Sequence, residues 1–333
     1  MALYTILLVI AGALLLYCLF LTRVSEHALP VYLVVPATVI LVSLTIFPII
    51  YLVNLSIRDV GIYNFHSSWP FVGLGNYATI IRDPEVIASF FRTLQFLVAS
   101  IGLELVLGMC MALILYQEFK GRGAVTTLLM LPIMVSPILV GMMWRYMFSF
   151  NDGFINQIFS ALGAKKLPWL TNEPLPLIST ILGLGDPKWA ANTLNLNYGL
   201  ASIVITDVWQ WTPFVALLVL AGLNALPVEP YEAAVVDGAS GWAIFRHLTL
   251  PLLRPVIMVA LLIRLMDAMK VFDTIWALFE GAPFTRVLNI SLYNVGITRK
   301  IYGQGAALSI LIIILVTIMA QLVIGFVERL EKA

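Results

Sequence analysis

The sequence has few charged residues for its length. Only 11% of its 333 residues are Asp, Glu, Lys or Arg, whereas 61% are hydrophobic. Soluble domains carry about 25% charged residues, so this balance indicates an integral membrane protein. The formal net charge of +1 provides no electrostatic footprint for nucleic acid, and we expect no nucleic-acid partner.

The sequence also lacks the motifs of the common catalytic sites. It contains no GxxxxGK[ST] phosphate loop and no HExxH, GxSxG or CxxC pattern. Its three histidines fall in different loops, and Cys18 and Cys110 both lie inside apolar runs. We therefore predict that the chain is not an enzyme, binds no metal and has no ATP site of its own.

Seven apolar segments are long enough to cross a bilayer as helices, which takes roughly 20 residues. They cover residues 2–22, 30–57, 93–116, 124–148, 200–226, 255–279 and 304–327. Alternation with period 2 is absent, so the predicted fold is all-α and not a β-barrel. Segment 2–22 has too long an apolar run, and no basic residues before it, for a signal peptide. We predict a retained transmembrane helix within 1–29, ahead of a core domain at 30–330.

The loops fall into two sets that seven spans would place on opposite sides of the membrane. The first set consists of three short loops, 23–29, 117–123 and 328–333, and the larger loop 228–254. The second set consists of the longer loops 58–92, 149–199 and 280–303. Both sets carry Arg and Lys, but these residues are more thinly spread in the second set, so the positive-inside tendency assigns the first set to the cytoplasm. We predict a multi-pass inner-membrane protein with its N-terminus outside and its C-terminus in the cytoplasm. The loop 149–199 suits a surface for a protein or a sugar, or a plain extracytoplasmic cap.

One polar loop, EAAVVDGASGWAIFRHLTLPLLRP (232–255), separates two apolar segments. Pro230, Glu229 and Glu232 are favourable near a helix N-terminus, and Gly238 and Gly241 interrupt the helix that follows. We predict two short helices joined by a glycine bend, the second over 242–248, with prolines ending the loop. Such a pair forms a knob that a soluble partner can bind.

This loop resembles the EAA loop of binding-protein-dependent ABC importer permeases. Glu232-Ala233-Ala234, three residues, then Gly238 and Leu250-Pro251 carry the resemblance. Other segments that resemble the maltose-permease-like carbohydrate family are FVGLGNY (71–77), FKGRG (119–123), DVWQWTPF (207–214) and MKVFDTIWAL (269–278). The family's GGP is replaced here by Gly281-Ala282-Pro283, so one glycine is lost.

The resemblance implies a type I permease core of six helices, with the helix in 1–29 as an addition. It implies a second permease subunit, two ATP-binding subunits that hold ATP and Mg, and an extracytoplasmic solute-binding protein that delivers a carbohydrate. It also implies that the loop 228–255 couples to the ATPase, through Glu232, Ala233, Ala234, Asp237 and Gly238. No cofactor is then expected in this chain, whose remaining contacts are with membrane lipid.

Charged and aromatic residues inside the spans are candidates for a substrate pathway, because ionisable groups in a membrane usually face a cavity or the bundle interior. Asp207, Trp211 and Phe214 share a helix face on which a carboxylate and two rings suit a sugar, although packing against a second permease explains them equally well. Arg264, Asp267, Lys270 and Asp273 recur every three residues with alternating sign, which predicts pairing along one helix. The complete candidate set is Ser136, Asp207, Trp209, Trp211, Phe214, Asp267 and Lys270.

A self-sufficient secondary transporter or channel, whose intramembrane charges couple ions, is the alternative function. The EAA-like loop and the lack of self-similar halves favour the importer permease. The residues leave open which sugar, polyol or derivative is carried, and whether it is neutral or anionic.

Overall fold

The computed structural model describes residues 17, 25, 28–181, 183 and 186–331. Within these residues the chain is helical and forms no named strand, with only two isolated β-bridges. The all-α prediction is therefore confirmed. The helices that the site uses are α1 Leu29–Ser56, α2 Gly75–Arg82, α3 Pro84–Tyr116, α4 Arg122–Met134, α5 Pro137–Met147, α6 Tyr198–Asn224, α7 Glu229–Val236, α8 Gly241–Ile244, α9 Leu250–Ala268, α10 Asp273–Phe279, α11 Leu288–Tyr293 and α12 Tyr302–Glu331.

Among the described residues, five helices are long and apolar enough to cross a membrane, and α4 with α5 make a sixth crossing if the pair is one bent span. These agree with the six predicted core spans. Helix α3 begins at Pro84, nine residues before the predicted span, because Asp83 caps its N-terminus by accepting from the Glu85 amide. The predicted helix at 2–22 lies outside the described residues apart from Tyr17, and the domain boundary at 29 stays a prediction.

The predicted span 255–279 is wrong at both ends. A continuous helical stretch begins at Gly241 and ends at Ala268, and α10 is a separate helix after a break. Pro251 is tolerated because residues 245–249 form a π-turn, in which the Leu250 amide donates to the Phe245 carbonyl. This wider turn relieves the clash that a proline makes inside an α-helix. At the break, the Asn289 side-chain amide donates to the carbonyls of Met269 and Val271, at 2.8 and 3.3 Å.

The predicted span 124–148 is bent by 98° between α4 and α5. Pro132 and Pro137 flank this bend, where carbonyls lose their helical partners. Gln210 donates to the Val135 carbonyl at 3.2 Å, and Thr274 donates to the Pro137 carbonyl at 3.2 Å. Side chains of neighbouring helices therefore donate hydrogen bonds to the backbone carbonyls that the bend leaves free, as a membrane interior requires.

Helix α6 lies at the centre of the bundle, with 61% of its most apolar window buried. It packs closely on α3, where a Cβ added to Gly108 would lie 2.7 Å from Val215. The three longer loops meet at one end of the bundle, since the Ile62 amide donates to the Lys300 carbonyl and Gly199 lies against Phe284. These contacts confirm that the longer loops form one set, while the side of the membrane that they face stays a prediction.

Candidate functional site

Arg264 joins three helices through one buried ion-pair cluster. Its guanidinium donates to Glu104 of α3 at 2.6 and 2.8 Å, to Asp207 of α6 at 2.9 Å and to Asp267 of its own helix at 3.0 Å. The Arg264 and Glu104 side chains are 1% and 0% exposed, and Asp207 is 5% exposed. The planar fork of Arg suits several carboxylates at once, so this single residue ties α3, α6 and α9 together.

The pairing predicted along 264–273 is correct only for Arg264 and Asp267. Helix α9 ends at Ala268, so Lys270 and Asp273 do not continue its face. Among the described residues, no salt bridge reaches either of their side chains. The strongest partner of Arg264 is Glu104, which lies 160 positions away in the sequence and which periodicity within one helix does not reveal.

Four of the predicted pathway residues line one cavity of about 140 Å³ beside the cluster. These residues are Asp207, Trp211, Asp267 and Lys270. Phe272, Asp273, Thr274 and Pro137 complete much of its wall, so α5, α6, α9 and α10 all contribute. The Trp211 ring is fixed by the Arg264 guanidinium, which lies 4.7 Å from the ring centroid in a cation–π contact. The cavity therefore offers carboxylate acceptors, an ammonium donor and aromatic faces within a small volume.

Three other predicted pathway residues do not line this cavity. Trp209 lies on another face of α6 with its ring against Trp144 at 5.7 Å, and Ser136 is exposed at the bend between α4 and α5. Phe214 contacts Trp211 edge to face at 6.3 Å, so it packs behind the cavity wall. The seven-residue separation places Phe214 on the face of Asp207, as predicted, but Phe214 is not among the residues that line the cavity.

The EAA-like loop forms the predicted helix–glycine–helix knob. Helix α7 is followed by Gly238 at φ +76°, a left-handed conformation that glycine adopts without steric cost. Helix α8 then begins after Ser240, whose hydroxyl accepts from the Ala243 amide. The Tyr231 hydroxyl donates to Thr249 at 3.2 Å, which holds the two arms together.

The second arm of the knob differs from the prediction. It does not end at Pro251 and Pro255 but runs directly into the span that carries Arg264. On the knob surface Val236 and Trp242 are 86% and 69% exposed, and Trp242 stacks on Phe245 at 5.5 Å. Sequence reasoning had singled out the exposed Glu232, Ala233, Asp237 and Gly238 and the half-buried Ala234, and it missed this apolar surface.

The replacement of GGP by Gly281-Ala282-Pro283 removes no glycine that the turn requires. Gly281 has φ +80°, and a Cβ there would lie 2.9 Å from the Trp276 ring, so this position requires glycine. Ala282 stands in the place of the other glycine with φ −52°, which any L-residue adopts. The lost glycine is therefore the dispensable one.

A family model described as "Binding-protein-dependent transport system inner membrane component" matches residues 104–332. The trehalose/maltose transport system permease protein MalF of Thermococcus litoralis is 38% identical over 300 residues, which cover 88% of this chain and 92% of that protein. The trehalose transport system permease protein SugA of Mycobacterium tuberculosis is 32% identical over 299 residues, covering 90% and 88%.

A solved structure gives the same fold. A chain in the crystal structure of a bacterial alginate ABC transporter, in complex with an alginate-pentasaccharide-bound periplasmic protein, superposes with a TM-score of 0.73 at 21% identity. The superposition covers 92% of this chain and 97% of that one. The six-helix core seen here is therefore the fold of that transporter chain.

Proposed function

Because this chain belongs to the family of binding-protein-dependent transport system inner membrane components, we propose that it is the permease subunit of an ATP-driven carbohydrate importer. In this proposal a binding protein delivers the sugar from outside, and this chain with a second permease forms the pathway. Two partner subunits bind and hydrolyse ATP with Mg. The loop 228–255 and the C-terminus face the cytoplasm, and the loops 58–92, 149–199 and 280–303 face outward.

The cavity beside Arg264 is the observation that carries the substrate assignment. A sugar presents hydroxyls to hydrogen-bonding groups and C–H faces to rings, and the cavity provides Asp207, Asp267, Lys270 and Trp211. Its volume of about 140 Å³ is smaller than the roughly 300–1,000 Å³ typical of ligand pockets. We infer that the second permease supplies the remaining wall. The names of these two relatives favour trehalose or maltose as the sugar.

The continuity of the knob with α9 supports a route for coupling. In the proposal, Glu232, Ala233, Ala234, Asp237 and Gly238 contact an ATP-binding subunit. Force on this knob passes through α8 and the π-turn into α9, because 241–268 is one uninterrupted helical stretch. Arg264 then transmits the displacement to Asp207 on α6 and Glu104 on α3 through their ion pairs. ATP-driven movement of the knob thus reaches the cavity wall about six turns away.

Reconstituted transport tests this function directly. The complete transporter would be placed in proteoliposomes with its binding protein outside, and uptake of radiolabelled trehalose and maltose would be measured. We expect uptake of at least one sugar that requires both internal ATP and the binding protein. Uptake that ignores ATP and follows an imposed ion gradient would instead establish the self-sufficient transporter.

Lys270→Met is expected to lower the uptake rate at least about tenfold, since loss of a hydrogen bond from a charged group costs roughly 1.5–3 kcal/mol. Lys270 lines the cavity and makes no ion pair with a described residue, so its loss leaves the melting temperature unchanged. Lys120→Met, at an exposed lysine away from the cavity, is the matched control and retains full uptake. Equal uptake by the two variants would remove Lys270 from the pathway.

A further inference from the structure

A second cavity, of about 600 Å³, lies next to the first along α5 and α10. Its main lining residues are Met142, Arg145, Tyr146, Phe150, Trp276 and Glu280. None of them belongs to the predicted pathway set. The volume falls within the range of roughly 300–1,000 Å³ for sites that enclose small molecules.

Trp276 is held rigidly in the wall of this outer cavity. Phe272 stacks on it at 5.6 Å with an interplanar angle of 14°, and Tyr293 lies 4.8 Å away. The Gly281 backbone approaches the same ring so closely that a Cβ would meet it at 2.9 Å. An aromatic ring that is fixed before a ligand arrives loses little conformational freedom on binding, which makes it a good platform for stacking.

The polar groups of the outer cavity are an accessible ion pair. Arg145 donates to Glu280, and their side chains are 42% and 67% exposed. Glu280 has φ +51°, an uncommon conformation for a residue with a Cβ, and it follows the last turn of α10. The pair retains unused N–H donors and carboxylate lone pairs, because each side chain has more bonding sites than this one contact uses. Tyr146 and Phe150, 68% and 52% exposed, add aromatic surface beside it.

The two cavities are lined by neighbouring positions of the same two helices. Pro137 and Thr274 line the inner cavity, whereas Ile138 and Ala277 line the outer one. The helices are in backbone contact between them, since a Cβ on Gly141 would lie 2.6 Å from both Ala277 and the Thr274 carbonyl. The two cavities therefore lie about one turn apart along α10, with this close helix contact between them.

We propose that the outer cavity is a separate carbohydrate subsite, which receives the sugar from the binding protein before it enters the cavity beside Arg264. Trp276 stacks on a sugar face, and the Arg145–Glu280 pair exchanges hydrogen bonds with sugar hydroxyls. This proposal rests on the proposed function. A lipid acyl chain is the other small ligand to consider, but the accessible ion pair makes this cavity a poor site for one.

Sugar transported per ATP hydrolysed, measured in the same proteoliposomes, tests the subsite. Trp276→Leu is expected to lower this ratio about fivefold, because it removes the fixed aromatic contact with the sugar. ATP hydrolysis stimulated by the sugar-loaded binding protein stays near the wild-type rate, since the knob is untouched. Glu280→Gln, which alters an exposed side chain without changing packing, is expected to lower the ratio in the same direction. Trp276→Phe, which keeps an aromatic ring at this position, should retain most of the wild-type ratio of sugar to ATP.

Phe47→Leu is the matched control for removing an aromatic ring, because Phe47 on α1 is 71% exposed and lines neither cavity. It should retain the wild-type ratio. The subsite is overturned if Trp276→Leu and Glu280→Gln both transport as much sugar per ATP as wild type. It is also overturned if uptake and ATP hydrolysis fall together in both variants, which would indicate a packing role only. Absence of ATP-driven sugar uptake by the wild-type transporter would refute the proposed function itself, whatever the variants do.

Discussion

Replacing Arg264 by Met should prevent the transporter from accumulating as a folded complex. The substitution leaves Glu104 and Asp207 buried without their cation, and the 49%-exposed Asp267 side chain loses the same partner. Removing one member of a buried ion pair costs roughly 3–5 kcal/mol, a large part of the stability of an average domain. The loss of the cation–π contact with Trp211 adds to this cost.

Thermal unfolding of the detergent-purified complex, with the yield of monodisperse protein, measures the effect. Arg264→Lys should be only partly better, because an ammonium lacks the planar fork that reaches three carboxylates. Arg145→Met is the control for deleting a paired arginine. Its pair with Glu280 is exposed, so we expect a change of at most about 1 kcal/mol. Normal yield and melting of Arg264→Met would contradict the view that this cluster holds the three helices together.

A variant that also neutralises the partner carboxylates shows whether Arg264→Met fails because of unpaired buried charge or because of lost packing. Adding Glu104→Gln and Asp207→Asn to Arg264→Met removes the uncompensated buried charges, and uncharged replacements of such clusters are often tolerated. We expect this triple variant to recover much of the yield while it transports poorly, because Asp207 also lines the inner cavity. The single and triple variants thus distinguish the structural role of the cluster from its role in the pathway.

The knob and most of the spans could be predicted from the sequence, because the residues that determine each of them lie within a few positions of one another. Gly238 is required by a turn that follows α7 directly, and the apolar runs set the length of each span. The break at 269–272 was not foreseeable in this way. No glycine or proline falls between residues 256 and 280, and the carbonyls that the break frees are bound by Asn289, about twenty positions later in the chain.

The sequence predicted most of the residues that line the candidate site but not the ion pairs that hold them in place. Asp207, Trp211, Asp267 and Lys270 do share a cavity, yet the partner that fixes Asp207 is Arg264, on another helix. Helical spacing finds neighbours at three and four positions, and it cannot find an ion pair between spans 57 or 160 residues apart. For the same reason the outer cavity was missed, since α5 and α10 come together only in the folded chain.

Gly238→Val should abolish ATP-driven uptake while leaving the membrane bundle intact. A Cβ at position 238 would meet nothing within 4 Å, so steric volume does not matter there. The cost is conformational, because φ +76° is left-handed and disfavours a β-branched residue by about 1–2 kcal/mol. The chain then leaves α7 in a different direction, and the knob no longer presents α7 and Trp242 together.

Gly241→Val is the matched control because position 241 has equally open space and no left-handed φ. Both variants carry the same added side chain three residues apart, so a difference between them reports backbone conformation alone. We expect Gly238→Val to lose both uptake and co-purification of the ATP-binding subunits, with the melting temperature of the permease bundle unchanged. Gly241→Val should retain all three. If both variants bind the ATP-binding subunits and transport equally, the turn at Gly238 does not set the coupling geometry, and the connection from the knob through α9 to Arg264 loses its starting point.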